Sequence, residues 1–214
     1  MTATPPDRYP PEPWHLAGQA YLSTWLVPVA DLPRVPRELR PVVVAGRAVV
    51  VTAWIDYQPP GQLSYAELLA TVAVRDGHGP SGPSGPTATI TEIWVDSAVS
   101  LAGGRELWGI PKELAAFDLR HGRTFTASAT TSRDWIATAA FTSRPGPPVT
   151  LPSRFRVAQV MDGEPRSSRV RARARPHWAA ASWSVNPAGP LGYLAGRAPL
   201  LSARLRDFRM RFGG

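Results

Sequence analysis

Around its single lysine the chain reads Gly103-Gly104-Arg105-Glu106-Leu107-Trp108-Gly109-Ile110-Pro111-Lys112-Glu113-Leu114. The other 23 of its 24 basic residues are arginines. Arginine keeps its proton in proteins, whereas a buried lysine can lose it and attack a carbonyl group. Lys112 is therefore a candidate nucleophile, although a codon bias that favours arginine would also leave a lone lysine by chance.

The backbone before Lys112 is stiff and sharply turned. Pro111 fixes its own φ and pushes Ile110 into an extended conformation, and Gly109 permits a tight path. Apolar side chains flank the lysine at Trp108, Ile110 and Leu114. Because apolar surroundings disfavour a charged amine, we expect Lys112 to lie where the neutral, nucleophilic form is favoured.

The composition is that of a soluble globular protein. With 43% apolar and 19% charged residues, the chain can bury a sizeable core, and we expect a single domain over 1–214. It has no cysteine, which excludes disulfides and thiolate zinc sites and fits a reducing compartment. The N-terminus lacks the apolar region of a signal peptide, and no window of about 18 residues is apolar throughout. We therefore expect a cytoplasmic protein without membrane contact.

Turn-forming residues are spread along the chain as 24 prolines and 18 glycines, which predicts many short elements. Strand-like runs dominate, and they cover 21–29, 42–55, 65–75, 87–95, 117–119, 124–131, 136–143, 168–175 and 201–212. Short helices are expected within 31–40, 96–103, 105–108 and 191–195. The pattern predicts a mainly β (α+β) protein, an antiparallel barrel or curled sheet with a few helices.

Two segments have the composition of irregular structure. Residues 1–13 form a proline-rich N-terminal arm with five prolines. Residues 76–86 contain the run Gly-His-Gly-Pro-Ser-Gly-Pro-Ser-Gly-Pro, which is typical of an exposed, flexible loop.

The net charge of +8 comes mostly from the C-terminal third of the chain. There, Arg169, Arg171, Arg173 and Arg175 alternate with small apolar residues, which predicts a strand with one arginine face. A nucleic-acid groove is one interpretation. A solvated sheet face or a subunit contact is favoured, because no nucleic-acid motif and no stacking aromatic residues accompany the arginines.

Two motifs, in this order along the chain, resemble those of the acetoacetate decarboxylase-like family of Schiff-base lysine enzymes. Gly61-Gln62-Leu63-Ser64-Tyr65-Ala66-Glu67 resembles the second active-site segment of the family, with its Tyr-x-Glu. Gly104-Arg105-Glu106-Leu107 and Pro111-Lys112 resemble the Gly-Arg-Glu and Pro-Lys parts of the family signature, and Trp94-Val95-Asp96 resembles the strand before it. The tail 190–212 is also similar in pattern.

The resemblance implies a closed, cone-like antiparallel β-barrel and a homo-oligomer. It also implies that Lys112 is the Schiff-base lysine and that Glu67 is the second catalytic residue, which moves protons or positions the substrate. Glu106 corresponds to the glutamate of the signature. With Tyr65 and Trp108, it completes the substrate-binding residues that we expect near the lysine.

The sequence departs from the family pattern at two positions. Where the decarboxylases have an arginine that is thought to engage the substrate carboxylate, our register places Gln19, which cannot form a bidentate charged pair. The residue after the catalytic lysine is usually a second lysine, and here it is Glu113. We expect Glu113 to point to solvent, because an inward carboxylate would favour the ammonium form of Lys112.

The motifs predict a lyase that decarboxylates a 3-oxo acid, similar to acetoacetate, to a ketone and carbon dioxide. Two alternatives remain open: a Schiff-base aldolase, dehydratase or cyclase on a 2- or 3-oxo acid, and a non-catalytic binding protein of the same fold. The partner is in each case a small oxo acid. No metal or organic cofactor is expected, because the histidines have no metal-ligand spacing and the lysine itself supplies the electron sink.

Overall fold

The computed structural model describes residues 9–76 and 85–214. They form thirteen strands and one α-helix, with short 3₁₀ turns at Val29–Asp31 and Gly192–Leu194. The elements in chain order are β1 (Trp14–Pro28), β2 (Leu39–Pro41), β3 (Val43–Val44), β4 (Arg47–Tyr57), β5 (Tyr65–Asp76), β6 (Thr87–Val95), α1 (Ala98–Trp108), β7 (Lys112–Leu114), β8 (Ala116–Arg120), β9 (Thr124–Thr130), β10 (Trp135–Ser143), β11 (Leu151–Met161), β12 (Glu164–Val185) and β13 (Leu201–Phe212).

Seven strands close into a ring in the order β1, β4, β5, β6, β11, β12 and β13. Six of the seven pairings in the ring are antiparallel. The seventh, between β6 and β11, is a short parallel contact in which Arg156 and Val157 align with Thr87 and Ala88. The prediction of a mainly β, barrel-like protein is confirmed, with the correction that a parallel pair closes the ring.

The ring encloses an apolar core to which each of its seven strands contributes. Side chains from one face of these strands pack with residues of α1 and of the turn after it. The buried members include Trp14, Tyr57, Tyr65, Ile93, Trp108, Ile110, Val157, Val170, Phe208 and Phe212. The interior of the ring is therefore filled by side chains, and the site described below lies among them.

A second core lies on the outer face of β1, β4 and β5. There β8, β9, β10 and the second half of β12 form a sheet whose aromatic side chains stack on the ring. The rings of Tyr21 and Phe125 lie parallel with 3.7 Å between centroids, and those of Trp54 and Trp183 are 5.8 Å apart. This sheet covers an apolar surface that the ring would otherwise expose.

The 22-residue strand β12 belongs to both parts of the molecule. Its first half pairs with β11 and β13, and its second half pairs with β10. The register of β12 against β13 shifts between Arg173 and Arg175, just before Pro176. The extra residue of this bulge lies on β13. The proline is tolerated because it falls between the last residue paired with β11, Ala174, and the first paired with β10, Ala179, where one edge of β12 is open.

The sequence prediction erred in several elements. The helical turns expected within 96–103 and 105–108 are one continuous helix, α1, while 31–40 contains no helix beyond the 3₁₀ turn that ends at Asp31. The strand β11 was missed, because its polar residues, with Pro152, Arg154 and Arg156, hide the alternation of a strand. Of the predicted arm and loop, residues 1–8 and 77–84 lie outside the described residues.

Candidate active site

The amino group of Lys112 lies inside the ring and is almost completely buried. The residue is 4% exposed, although it belongs to the most polar class of side chain. Its Nζ donates a hydrogen bond to Ser100 Oγ at 2.8 Å and forms an ion pair with Glu67 Oε2 at 2.9 Å. Tyr65 OH lies 3.5 Å from Nζ. The lysine therefore has a carboxylate and two hydroxyls as immediate neighbours.

Glu67 is held in place from its other oxygen. Its Oε1 accepts a hydrogen bond of 3.0 Å from Tyr57 OH, and the residue is 2% exposed. Tyr57 and Tyr65 are direct cross-strand neighbours on β4 and β5, with 4.4 Å between ring centroids. Two tyrosines and one carboxylate thus form a rigid wall against Lys112.

Both tyrosines stay protonated in this environment. Burial raises the pKa of Tyr57 and of Tyr65 well above the usual value, and the negative charge of Glu67 adds to the effect for each. The two hydroxyls are therefore hydrogen-bond donors at any physiological pH.

The backbone that carries Lys112 is fixed on both sides. The helix α1 ends at Gly109, whose φ of 64° is left-handed and whose N–H bonds back to the last turn of the helix. The strand β7 then pairs with β6, with Lys112 beside Ile93. Arg105 Nε donates a 2.8 Å hydrogen bond to the carbonyl oxygen of Lys112. The Arg of the Gly-Arg-Glu motif thus holds the main chain of the lysine rather than a ligand.

Gly104 makes room for the side chain of Lys112. A Cβ at this position would lie 2.7 Å from Lys112 Cδ and 2.8 Å from its Cε, which is closer than carbon atoms can approach. The helix therefore packs its glycine directly against the lysine methylenes, and this contact directs the amino group toward Ser100 and Glu67.

The structure brings together three of the residues that the sequence selects. Lys112, Glu67 and Tyr65 meet inside the ring, although 45 residues separate the first two in sequence. Glu113 is exposed, as expected. The apolar lining is only partly as expected: Ile110 is buried, but Leu114 is 54% exposed and polar groups surround the amino group itself.

Three other selected residues lie elsewhere. Trp108 packs edge-on against Trp14 and Phe212, and its Nε1 donates to Glu12. Glu106 is exposed on α1 and accepts a hydrogen bond from Tyr9 OH.

Gln19 is also outside the Lys112 cluster. Its amide nitrogen donates to Asp207 Oδ1 at 3.1 Å, and its oxygen accepts from Arg204. In the register of the sheet, Glu67 lies in one row with Ala20, whereas Gln19 belongs to the next row, whose side chains point to the opposite face.

Sequence reasoning missed Ser100 and Tyr57. Ser100 follows the N-cap Ser97, whose Oγ accepts from the Ser100 amide. Ser100 lies one helical turn before Gly104, so both face Lys112 from the same side of α1. Only the packing of α1 against β7 shows which side of the helix this is. Tyr57 ends the strand that pairs with Tyr65, so a hairpin register would have identified it.

In the described part of the chain, no three histidine, aspartate or glutamate side chains are grouped as metal ligands. Among the described helices, none combines the length and the apolar character that a membrane crossing requires.

The strand ring, the helix α1 and the buried lysine allow the chain to be compared with known families. The chain matches the acetoacetate decarboxylase family over residues 1–173, and it belongs to this family. No functionally curated protein matches it in sequence.

Solved structures share the fold over nearly the whole chain. Acetoacetate decarboxylase from Legionella pneumophila is 16% identical, with a TM-score of 0.69, and the match covers 100% of this chain and 90% of that one. The enduracididine biosynthesis enzyme MppR, complexed with pyruvate, is 20% identical with a TM-score of 0.67, over 98% and 91% of the two chains. An acetoacetate decarboxylase-like enzyme from Sphingomonas wittichii RW1 is 15% identical with a TM-score of 0.60, over 94% and 91%. At these identities the likeness establishes the fold, and the family includes both decarboxylases and MppR.

Proposed function

We propose that this protein is a carbon–carbon lyase that forms a Schiff base between Lys112 and a 3-oxo acid and releases carbon dioxide. One observation carries the proposal: a buried amino group lies 2.9 Å from a buried carboxylate, Glu67, at the interior of a barrel. An ion pair on the surface needs no functional explanation. A buried ion pair is costly to desolvate and adds little net stability, so its presence indicates a functional role.

The ion pair can generate the nucleophile without a change in net charge. In the resting state, Lys112 is the ammonium partner of the Glu67 carboxylate. Transfer of one proton across the 2.9 Å contact leaves a neutral amine and a neutral carboxylic acid. Because the pair has no net charge in either form, the low-polarity interior of the ring tolerates both.

The chemistry then follows in balanced steps. The amine nitrogen of Lys112 adds to the ketone carbon, and the resulting hydroxyl leaves as water after it takes the proton held by Glu67. The protonated imine accepts the electron pair of the breaking carbon–carboxylate bond, which gives carbon dioxide and an enamine. A proton from solvent adds to the enamine carbon, and water then hydrolyses the protonated imine to the ketone, which restores the ammonium group of Lys112 beside the Glu67 carboxylate.

Ser100 and the two tyrosines support these proton movements. Ser100 Oγ lies 2.8 Å from Nζ and can donate to an oxygen bound to the attacked carbon while it accepts from the nitrogen. Tyr57 and Tyr65 remain protonated, so they stabilise the carboxylate form of Glu67 as donors and do not compete for its proton.

A second candidate is a Schiff-base aldolase or dehydratase that keeps the carboxylate. Gln19 is bound to Asp207 and Arg204 and lies on the opposite face of the sheet from Glu67, so the arginine expected of the decarboxylases has no counterpart at this position. MppR, which shares the fold, has been solved with pyruvate bound. Both reactions share the imine on Lys112 and differ in the bond that breaks next.

Borohydride trapping tests the proposal. The protein is incubated with acetoacetate, with other 3-oxo acids, or with pyruvate, then reduced, and the adduct is located by intact mass and peptide mapping. We expect an adduct on Lys112 whose mass lacks the carboxyl group of the 3-oxo acid. An adduct that keeps the carboxyl group favours the aldolase or dehydratase.

The matched control is Lys112→Arg, which keeps the positive charge but cannot form an imine. Because Lys112 is the only lysine, the N-terminal amine is the one other primary amine that can react. Folded protein that gives no adduct on Lys112 with any of these acids, or an equal adduct in Lys112→Arg, contradicts the proposal and favours a binding protein of the same fold.

The resemblance to the family also leads us to propose a homo-oligomer. Light scattering at micromolar concentration tests this, and a monomer at all concentrations contradicts it.

A further inference from the structure

The outer face of β11, β12, β13 and β1 carries arginines in cross-strand rows. Arg154, Arg171, Arg211 and His15 are successive neighbours in one row across the four strands. Flanking rows pair Arg173 with Arg209 and Arg156 with Arg169. We call this surface the arginine face, and its members are Arg154, Arg156, Arg169, Arg171, Arg173, Arg209 and Arg211.

These side chains point away from the interior of the ring. Their strand neighbours Val170, Phe208 and Phe212 are buried in the core of the barrel, and alternate residues of a strand lie on opposite faces. The period of two along 169–175 is confirmed by this alternation, and Arg175, which continues it, is paired with Asp207.

Part of the arginine face forms a shallow, open groove. Five of its arginines and His15 line a groove of about 480 Å³, together with Pro152, Met210 and the turn at Pro60 and Gly61. This volume falls within the range of small-molecule sites. No carboxylate is among the residues that line the groove.

The positive charge of this surface is uncompensated within the described residues. The described residues form five ion pairs, and none of these pairs includes a member of the arginine face. Residues 150–214 contain twelve arginines and three acidic side chains, an excess of nine positive charges, whereas the whole chain has a net charge of +8. Like charges on adjacent strands repel, so an arrangement of this kind is stabilised by an anion.

The arrangement also narrows the kind of anion. All but one of the basic residues of the chain are arginines, so their positions are more informative than their identity. Sheet positions one strand apart and two residues apart are about 5 and 7 Å from each other, so several of these long side chains can reach one compact polyanion. The residues that line the groove include no Phe, Tyr or Trp on which bases could stack. A second copy of the chain is also a poor partner for this face, because a two-fold symmetric contact would place arginine against arginine.

We propose that the groove of the arginine face binds a linear oligophosphate, either free or as the phosphate chain of a nucleoside triphosphate. The site is separate from the Lys112 cluster, because it lies on the outside of the barrel wall. The guanidinium groups hold the phosphate oxygens by charge-assisted hydrogen bonds, and the ligand neutralises the repulsion between the rows.

Isothermal titration of the full chain with tripolyphosphate, and separately with ATP, tests the proposal. We expect saturable binding of one tripolyphosphate per chain, about tenfold weaker when the salt concentration is raised from low to physiological. Equal affinity for ATP indicates that the phosphate chain alone is bound, and tighter binding of ATP indicates that a nucleoside triphosphate is the source.

The double variant Arg171→Gln/Arg209→Gln should lose at least about tenfold in affinity, because two charge-assisted contacts are removed. The matched control, Arg120→Gln/Arg133→Gln, removes the same charge from exposed positions outside the face and should bind as the wild type does. Trapping at Lys112 should be unchanged in both variants, which shows that they are folded.

Four results overturn the proposal. These are the absence of saturable binding, an equal loss in the control variant, and binding of ATP without binding of tripolyphosphate. The fourth is an affinity for a single-stranded oligonucleotide more than about tenfold above that for tripolyphosphate, which identifies a nucleic-acid surface instead.

Discussion

The Lys112 cluster and the arginine face are two ways of placing positive charge on the same barrel. Lys112 is inside the ring and 4% exposed, and its charge is matched by one carboxylate at 2.9 Å. The arginine face is outside, six of its seven arginines are exposed, and none of them is paired with a carboxylate. Water screens the charges of the face, whereas the cluster depends on specific neighbours.

The difference shows where substitutions matter. Inside the ring, removal of one partner leaves a group that nothing else can satisfy, and the free energy of unfolding falls by several kcal/mol. On the face, removal of one arginine relieves repulsion, and the effect is small and depends on salt. The following predictions test this contrast, in order of decreasing expected effect.

Lys112→Met should lower the free energy of unfolding at pH 8 by about 3 to 5 kcal/mol, because Glu67 is left buried without its cation. The double variant Lys112→Met/Glu67→Gln should recover most of this loss, since no charge remains. Urea unfolding measures both. If the single variant is as stable as the wild type, the ion pair is not formed as the structure shows it.

Glu92 is a half-buried carboxyl group that forms no ion pair among the described residues, and it provides the intermediate case. Burial raises the pKa of Glu92 to about 7 from its ordinary value of 4.5, against the opposing hydrogen bonds from Thr91 and Tyr193. The folded state therefore holds this proton more tightly than the unfolded chain does. The contribution of protonated Glu92 to the free energy of unfolding is fully present below pH 4.5 and is lost as the pH rises to about 7.

Relative to Glu92→Gln, which remains neutral, the wild type should lose about 3 kcal/mol of unfolding free energy between pH 4.5 and pH 7.5. Above that range the difference should be constant. Urea midpoints of the two proteins across this pH range provide the measurement. Parallel pH profiles would show that Glu92 is solvated in the folded protein.

Gly104→Ala should slow imine formation at least tenfold, or about 1.4 kcal/mol in activation free energy, because the new methyl group displaces Lys112 from Glu67 and Ser100. Alanine is the better helix former, but separation of the buried ion pair also costs stability, so the free energy of unfolding should fall by less than it does in Lys112→Met. Borohydride trapping rates give the measurement. The control is Gly122→Ala, whose Cβ would meet only Thr124 O at 3.5 Å and should leave the rate unaffected.

Arg171→Gln should change the free energy of unfolding by less than about 0.5 kcal/mol, and the sign should be stabilising at low salt. The gain should vanish at high salt, where the repulsion is screened. Thermal unfolding at two salt concentrations checks this. A destabilisation that persists at high salt would show that Arg171 packs as a structural side chain.

The sequence was informative about Lys112, Glu67 and Tyr65 because motif spacing survives at low identity. It also predicted most of the ring strands, since their buried faces alternate with polar ones. The cluster around the lysine was less accessible, because Ser100 and Tyr57 reach it through the packing of α1 and the register of β4, which are tertiary features. Local polarity misled the prediction for β11, whose outward arginines obscure its buried residues.

Two of the expected substrate-binding residues do not reach the Lys112 cluster in the structure. Trp108 lies within the lysine motif but packs against Trp14 and Phe212, and Gln19 lies on the opposite face of the sheet from Glu67. The register of β1 against β4 is continuous here, and the extra residue of the β1–β13 pairing lies on β13. Because both faces of β1 are buried, in two different cores, the alternation of the sequence did not show which face lies inside the ring.

The continuous strand β12 has a consequence for folding. It is hydrogen-bonded to β11 and β13 along one half and to β10 along the other, so neither the ring nor the outer sheet is complete without it. Its partner β13 lies nearby in sequence, but β13 must also reach β1, which begins nearly 190 residues earlier. Closing such distant pairings is slow, and a shared strand joins the two cores into one cooperative unit. Amide protons in both halves of β12 should accordingly exchange only when the whole molecule opens.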